Sequence, residues 1–261
     1  MIFISSIDIA SLDYDKVFTF STIGKAQRRR VFKYLSTSLS NRTLSILELN
    51  CGTGEDAIQL AKMGHQVLAT DSSQGMIKIA KTKQFEPNCQ FKTLDITALS
   101  KDVFETDLDL IFSNFGGFNC LKQKDIQTFF ETSSSMLSEN GRIVLVVMPK
   151  NTLWEQIYFS LKGQFKKAKR RNTTASLEVN VAGENVETWY YNPKDIVSLA
   201  SNFKLEKTKP IGLLIPPSYL ESSIFGKKIS IRILSFLEHC FSFSFFSKYA
   251  DHYYIEFKKI S

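Results

Sequence analysis

Between Leu44 and Lys150, short apolar or β-branched runs alternate with stretches whose apolar residues recur at helical spacing. That alternation marks βαβ units, which build a mostly parallel sheet covered by helices. Residues 44–49, 66–70, 89–93, 109–113 and 142–148 are expected as the first five strands. Several are apolar nearly throughout, as strands buried on both faces are. Residues 55–63, 74–81 and 125–137 are the expected helices, with Glu139-Asn140-Gly141 as a turn before the fifth strand. The expected fold class is α/β, doubly wound, with a mostly parallel sheet.

Ahead of this core, residues 14–39 have helical character, with Val31, Tyr34, Leu35 and Leu39 near one face, and are expected to lean on the sheet edge. Beyond it, residues 176–181 and 186–191 alternate polar and apolar around Ala182-Gly183-Glu184-Asn185, the signature of a β-hairpin. Asn192-Pro193 opens a helix running to about Asn202, with Asn as cap and Pro in its first turn. Residues 203–207 and 252–258 are the last two expected strands, separated by a long segment containing Pro216-Pro217.

Composition removes several classes of function. The 261 residues carry a formal net charge of +7, and residues 150–171 hold seven cations against Glu155, so most of the excess sits in one segment. Cys51, Cys89, Cys120 and Cys240 are scattered, with no short spacing that would make a zinc or redox motif, so no metal site is expected and reduced thiols are the default. The first ten residues contain Asp8 and no basic region ahead of an apolar stretch, so they do not read as a secretory signal, and a cytoplasmic location is expected. The most apolar stretch, 229–246, is interrupted by Arg232, Glu238 and His239. Each would cost ~2.5 kcal/mol or more if charged at a bilayer centre, so no spanning helix is expected.

Chemistry concentrates at Glu48-Leu49-Asn50-Cys51-Gly52-Thr53-Gly54, where the first strand passes into a helix and backbone can approach a ligand closely. Gly52-Thr53-Gly54-Glu55-Asp56-Ala57 also fits the dinucleotide pattern G-x-G-x-x-A, and Asp71 ends the next strand where a ribose-binding carboxylate belongs. On those residues alone a nicotinamide enzyme is a fair reading.

The acidic Glu48 is foreign to that fingerprint. Glu48-x-Asn50-x-Gly52-x-Gly54 resembles the E/D-x-G-x-G-x-G motif of class I S-adenosylmethionine-dependent methyltransferases, with Asn50 in place of the first glycine. Asn is among the non-glycine residues most tolerant of left-handed backbone. The likeness continues, in the family's order, over Leu68 to Met76, Leu94-Asp95-Ile96, Ile111 to Gly117 and Leu137 to Ile143.

The resemblance implies a seven-stranded sheet, S-adenosylmethionine as cofactor and a role for each matching position. Gly52 and Gly54 would leave room for the methionine portion, with backbone near Asn50 and Cys51 meeting its amino and carboxylate ends. Asp71, followed by Ser72, would take both ribose hydroxyls, as a carboxylate with two acceptor oxygens can. Met76 and Ile96 would sandwich the adenine, and Asp95 would accept from its exocyclic amine. Asn114 and Phe115 would face the sulfonium and the acceptor. Tyr14-Asp15 resembles the Tyr-Asp sequence that many of these enzymes place before the core, where the tyrosine closes over the cofactor. Plainer roles stand beside these: Glu48 as a capping or ion-paired carboxylate, Asp71 as a helix cap, Met76 as core, Asp95 as a solvated loop residue, Asn114 as a turn former and Tyr14 as helix packing.

On this reading residues 1–43 close on the cofactor site, 44–150 form the cofactor-binding core, 151–191 are an inserted basic and aromatic lid with the hairpin, and 192–261 complete the core around a second insertion at 212–250. Methyl transfer from a sulfonium is an in-line displacement whose electrophile the cofactor supplies, so alignment of the acceptor matters most and a base is optional. The histidines are His65, His239 and His252, and none is assigned as a base. A small-molecule acceptor is expected, with the lid suited to an anionic, aromatic or lipid-like compound. An RNA- or protein-modifying methyltransferase is second, although the basic cluster is short and nucleic acid is disfavoured as a partner. A nicotinamide oxidoreductase and an inactive binding protein on the same fold follow. The basic segment and the apolar stretch 229–246 leave a peripheral membrane contact open.

Overall fold

The computed structural model describes residues 15–39, 42–101, 107–181 and 184–260. The core is a seven-stranded sheet in which β1 (Ser45–Leu49), β2 (Gln66–Asp71), β3 (Cys89–Thr93), β4 (Leu108–Ser113) and β5 (Leu137–Val147) run parallel in the order β3-β2-β1-β4-β5. A further pair, β8 (Phe203–Ile211) and β9 (His252–Lys259), completes it, with β9 antiparallel between β5 and β8. β6 (Leu177–Val181) and β7 (Glu184–Thr188) form the expected hairpin as a separate two-stranded sheet. Its register pairs Val181 with Glu184, so Glu184 and Asn185 belong to a strand and not to the turn.

Strand pleating sorts the core into two faces. Leu47, Ile111, Ile143 and Ile255 join Ile126, Phe129 and Phe130 of α4 (Gln123–Met136) and Ile196 of α7 (Pro193–Leu199). Ile46, Leu110, Val144 and Tyr254 join Val31 and Leu35 of α1 (Thr22–Leu35), Ala57 and Leu60 of α2 (Glu55–Lys62), and Ile77 and Ala80 of α3 (Gln74–Lys83). The remaining α-helices among the described residues are α5 (Leu153–Leu161), α6 (Phe165–Ala168) and α8 (Lys228–Cys240), with a few short 3-10 turns between elements.

Four further expectations need correction. The N-terminal helix lies across a face of the sheet instead of leaning on its edge, with Tyr34 edge-on to Tyr254 of the penultimate position in the strand order. Its apolar stripe demanded a buried partner without saying which. Glu139-Asn140-Gly141 lies within β5: pairing jumps from Leu108–Leu137 to Leu110–Arg142, so these residues form an irregularity at the strand's start. The helix opened by Asn192-Pro193 stops at Leu199, and β8 continues to Ile211, four residues beyond its expected end at Lys207.

Candidate functional site

In a parallel sheet, ligands bind beyond the carboxyl ends of the strands, where the strand order reverses. Here that point lies between β1 and β4, with Leu49 paired to Ser113. The glycine-rich segment leaves β1 at this point. Asn50 has φ 54°, so the asparagine adopts the left-handed backbone that its position in the motif calls for, followed by Gly52 at 52° and Gly54 at 83°. Ser113 donates through Oγ to Asn50 Oδ1 at 3.3 Å. Gly54 has a different reason to lack a side chain: a Cβ there would lie 2.6 Å from the Phe91 ring, so the glycine lets the loop close onto β3.

Asp71, at the end of β2, organises the loop from the other side. Its Oδ2 accepts from the Gly52 N–H at 2.9 Å and its Oδ1 from the Ser73 N–H at 2.8 Å. Burial pushes its carboxyl above the ordinary carboxylate value, against the pull of those two backbone donors. The cap of α3 is Ser73, whose Oγ accepts from Met76 N–H, so Asp71 is not the capping residue. Ser72 is exposed and Met76 half-buried.

Glu48 is only 1% exposed, and its Oε2 has no hydrogen-bond partner among the described residues. Burial, followed by the nearby Asp56 carboxylate, drives its pKa well above 4.5, with Asp71 adding to the rise and Arg28 opposing it. Burial, Glu48 and Asp71 likewise push the Cys51 thiol well up, so the thiol stays protonated.

Asn114 and Phe115 follow β4. Asn114 Nδ2 donates to Asp56 Oδ2 at 2.9 Å, and its Oδ1 accepts from the Phe115 N–H at 3.0 Å. Asp56 Oδ1 accepts in turn from Arg28 Nε at 2.7 Å. Phe115 is left-handed, at φ 48°, which is uncommon for a bulky residue and clusters at functional sites. Its ring stands edge-on to Phe18 at 5.2 Å and His252 at 5.5 Å, with the Arg28 guanidinium 5.4 Å away. Asp95, the exposed end of its strand's loop, caps the short helix Ile96–Ala98 by accepting from Thr97 N–H at 2.8 Å, and Ile96 is buried.

The chain ahead of α1 also reaches the site. Asp15 accepts from Thr53 Oγ1 at 2.5 Å and pairs with Lys83 of α3. Burial alone would raise the Asp15 pKa, but Lys83, Thr53 and Thr19 outweigh it and hold it below the ordinary value. Tyr14 lies outside the described residues. Sequence reading missed Arg28, Asp56 and His252 as neighbours of the site; the one available signal was Asp56, an acidic residue in the first turn after the glycine motif.

Residues 151–191 pair and bury more of their charged and aromatic side chains than composition suggests. Glu155 is buried and accepts from both Arg170 and Arg171, and Arg171 reaches Asp251 at 3.3 Å. Tyr190 and Tyr191 are core residues, and Tyr191 donates to the Leu121 carbonyl at 2.6 Å. Trp154, Tyr158 and Phe159 are half-buried, while Lys166, Lys167 and Lys169 are exposed.

Comparison with known proteins agrees with this geometry. Residues 46–141 match the methyltransferase domain family. Residues 46–141 therefore form a methyltransferase domain, and the sheet has the fold of the class I methyltransferases. Among curated relatives, malonyl-[acyl-carrier protein] O-methyltransferase of Priestia megaterium is 36% identical over 106 residues, covering 39% of this chain and 38% of that protein. The enzyme of the same name from Bacillus anthracis is 30% identical over 167 residues, covering 62% of this chain and 56% of that one. The chain therefore spans about half the length, or less, of these relatives. In fold it is similar to a putative S-adenosylmethionine-dependent methyltransferase from Listeria monocytogenes, with TM-score 0.61, 14% identity and coverage of 88% and 98% of the two chains. Magnesium protoporphyrin IX methyltransferase from Synechocystis, solved with bound SAH, gives TM-score 0.58 at 15% identity, covering 92% and 86%. The class I methyltransferases use S-adenosylmethionine, and no helix among the described residues is long and apolar enough to cross a membrane.

Proposed function

We propose that this chain transfers a methyl group from S-adenosylmethionine to a small-molecule acceptor. The observation that carries the reading is the cradle at the β1–β4 reversal: a loop left-handed at Asn50, Gly52 and Gly54, tied by the Gly52 N–H to the Asp71 carboxylate, beside a buried Glu48 whose Oε2 is unpartnered among the described residues. An unpaired carboxylate oxygen suits a ligand with positive charge, and S-adenosylmethionine brings both an ammonium and a sulfonium. In this assignment backbone at Asn50 and Cys51 meets the methionine end. Asp71 and Ser72 take the ribose, Met76 and Ile96 flank the adenine, and Asp95 accepts from its amine. Asn114 holds the acceptor side in place through Asp56, and Phe115 faces the acceptor.

The cofactor supplies the electrophilic methyl when bound, and the chain's part is alignment and exclusion of water. Half-buried Trp154, Tyr158 and Phe159 beside exposed Lys166, Lys167 and Lys169 favour an anionic, aromatic or lipid-like acceptor. Pairing of Arg170 and Arg171 with Glu155 removes two cations from any surface offered to nucleic acid, which weakens that alternative. The four unpaired cysteines accord with a cytoplasmic setting.

The test is calorimetric titration of S-adenosylmethionine and S-adenosylhomocysteine, with NAD as control. Micromolar affinity for the first two, about −8 kcal/mol, is expected, with none for NAD. A folded protein that bound neither would sink the enzyme reading while leaving the fold.

A further inference from the structure

We propose that α8 and the groove beside it form a docking surface for an anionic phospholipid bilayer. α8 carries exposed apolar residues on the side opposite the one that packs on the protein. Ile231 and Glu238 face inward and are buried, and Glu238 ties the helix down by accepting from the backbone of Gly212, Leu214 and Ile215. On the opposite side, Ile229, Ile233 and Phe236 recur at helical spacing and are 77%, 55% and 74% exposed. An apolar stripe directly away from the core gains nothing from folding and calls for a partner. It continues past the helix, where Phe243 and Phe245 are exposed.

Charge selects the partner. α1 and α8 enclose a groove of about 750 Å³ with Ala26, Ile215 and Ile231 among its apolar lining. Its rim carries Lys25, Arg29, Lys33, Lys228 and Arg232, all exposed and none in an ion pair with a described carboxylate. Among the described residues the groove lining contains no acidic side chain. A helix with an outward apolar stripe and a flank of cations lies flat at a membrane interface, stripe in the acyl boundary and cations among the headgroups. At 13 residues α8 is about 20 Å long, too short to span a bilayer but enough to lie along its surface. Lys228 and Arg232, one turn apart on α8, place charge beside the stripe.

This inference does not depend on the methyl-transfer reading. Its test is co-sedimentation of the whole chain with vesicles of phosphatidylcholine, alone or mixed with phosphatidylglycerol. Pelleting with the mixed vesicles only, diminishing as salt rises, is expected. The double substitution Ile233→Asp with Phe236→Asp should abolish it, and Lys228→Ala or Arg232→Ala should each weaken partitioning about fivefold. An unchanged thermal melt shows that a variant is folded; the single alanine variants at exposed sites keep the test available if the double one is not. Failure of the wild type to pellet with phosphatidylglycerol vesicles at low salt would overturn the proposal. So would pelleting that the substitutions leave unchanged. A wild type that ignores vesicles but dimerises, or binds acyl carrier protein, through this face would assign the surface to a protein partner instead.

Discussion

Asp15 accepts a hydrogen bond from Thr53 at 2.5 Å, joining the segment before α1 to the middle of the glycine-rich loop. The same carboxylate pairs with Lys83 at the far end of α3, so one side chain fastens three separate stretches around the proposed cofactor site. A hydrogen bond to a charged group contributes about 1.5–3 kcal/mol. Thr53→Val should therefore weaken S-adenosylmethionine binding about tenfold, chiefly through faster release, in a stopped-flow or calorimetric measurement. An unchanged affinity would mean that the segment does not order the loop.

Asp71 offers the sharpest test of cofactor geometry. Each of its oxygens already accepts one backbone N–H and retains capacity for a second donor. Asp71→Asn keeps the shape but turns one acceptor into a donor that faces a backbone N–H or a ribose hydroxyl. Affinity for S-adenosylhomocysteine should fall at least tenfold, about 1.4 kcal/mol, alongside a modest fall in melting temperature from the lost backbone contact. Equal affinities for the two proteins would remove Asp71 from the ribose role.

Glu48 should make the stability of the ligand-free protein pH-dependent. Burial, then Asp56, raises its pKa well above 4.5, so the fold favours the protonated form. Its contribution is present below that ordinary value and is lost as pH rises through the folded value. Glu48→Gln mimics the protonated state, so its stability advantage should be near zero at about pH 4 and grow toward about pH 8. Denaturant melts across that range measure the difference. A constant offset would show that Glu48 ionises without penalty.

Legibility of this molecule follows the range of its interactions. The parallel core was readable because an apolar strand buried on both faces and an amphipathic helix each leave a short-range pattern, as in Leu47, Ile111 and Ile143 against the helical spacing of Ile126, Phe129 and Phe130. Left-handed Asn50 was foreseeable from the motif position it fills. The Arg28–Asp56–Asn114 chain was not, since its links join residues 28 and 58 positions apart and polar pairs at such separations leave no periodic trace. The irregular start of β5 was misread for a related reason: Glu139-Asn140-Gly141 has turn chemistry, and only pairing with β4 draws it into a strand.

The buried cluster around Glu155 gives the largest stability prediction. Glu155, 2% exposed, accepts from Arg170 and Arg171, and Arg171 continues to Asp251. Burial alone would raise the Asp251 pKa, yet His252, Arg171 and Gln27 together hold it far below the ordinary carboxylate range. Removing one partner from such a cluster strands a buried charge, which costs about 3–5 kcal/mol. Glu155→Ala should therefore lower the melting temperature by roughly 10 °C, at about 2–4 °C per kcal/mol for a chain of this size. Glu155→Gln, which retains an acceptor for Arg171, should lose less. Because Asp251 adjoins His252, whose ring contacts Phe115, the alanine variant should also turn over its acceptor more slowly while binding S-adenosylhomocysteine as before. Calorimetric melting, titration with S-adenosylhomocysteine and the rate of methyl transfer, measured on the same preparation, separate the two effects. A Glu155→Ala protein that melted with the wild type would show that Arg171 finds enough compensation in Asp251 alone.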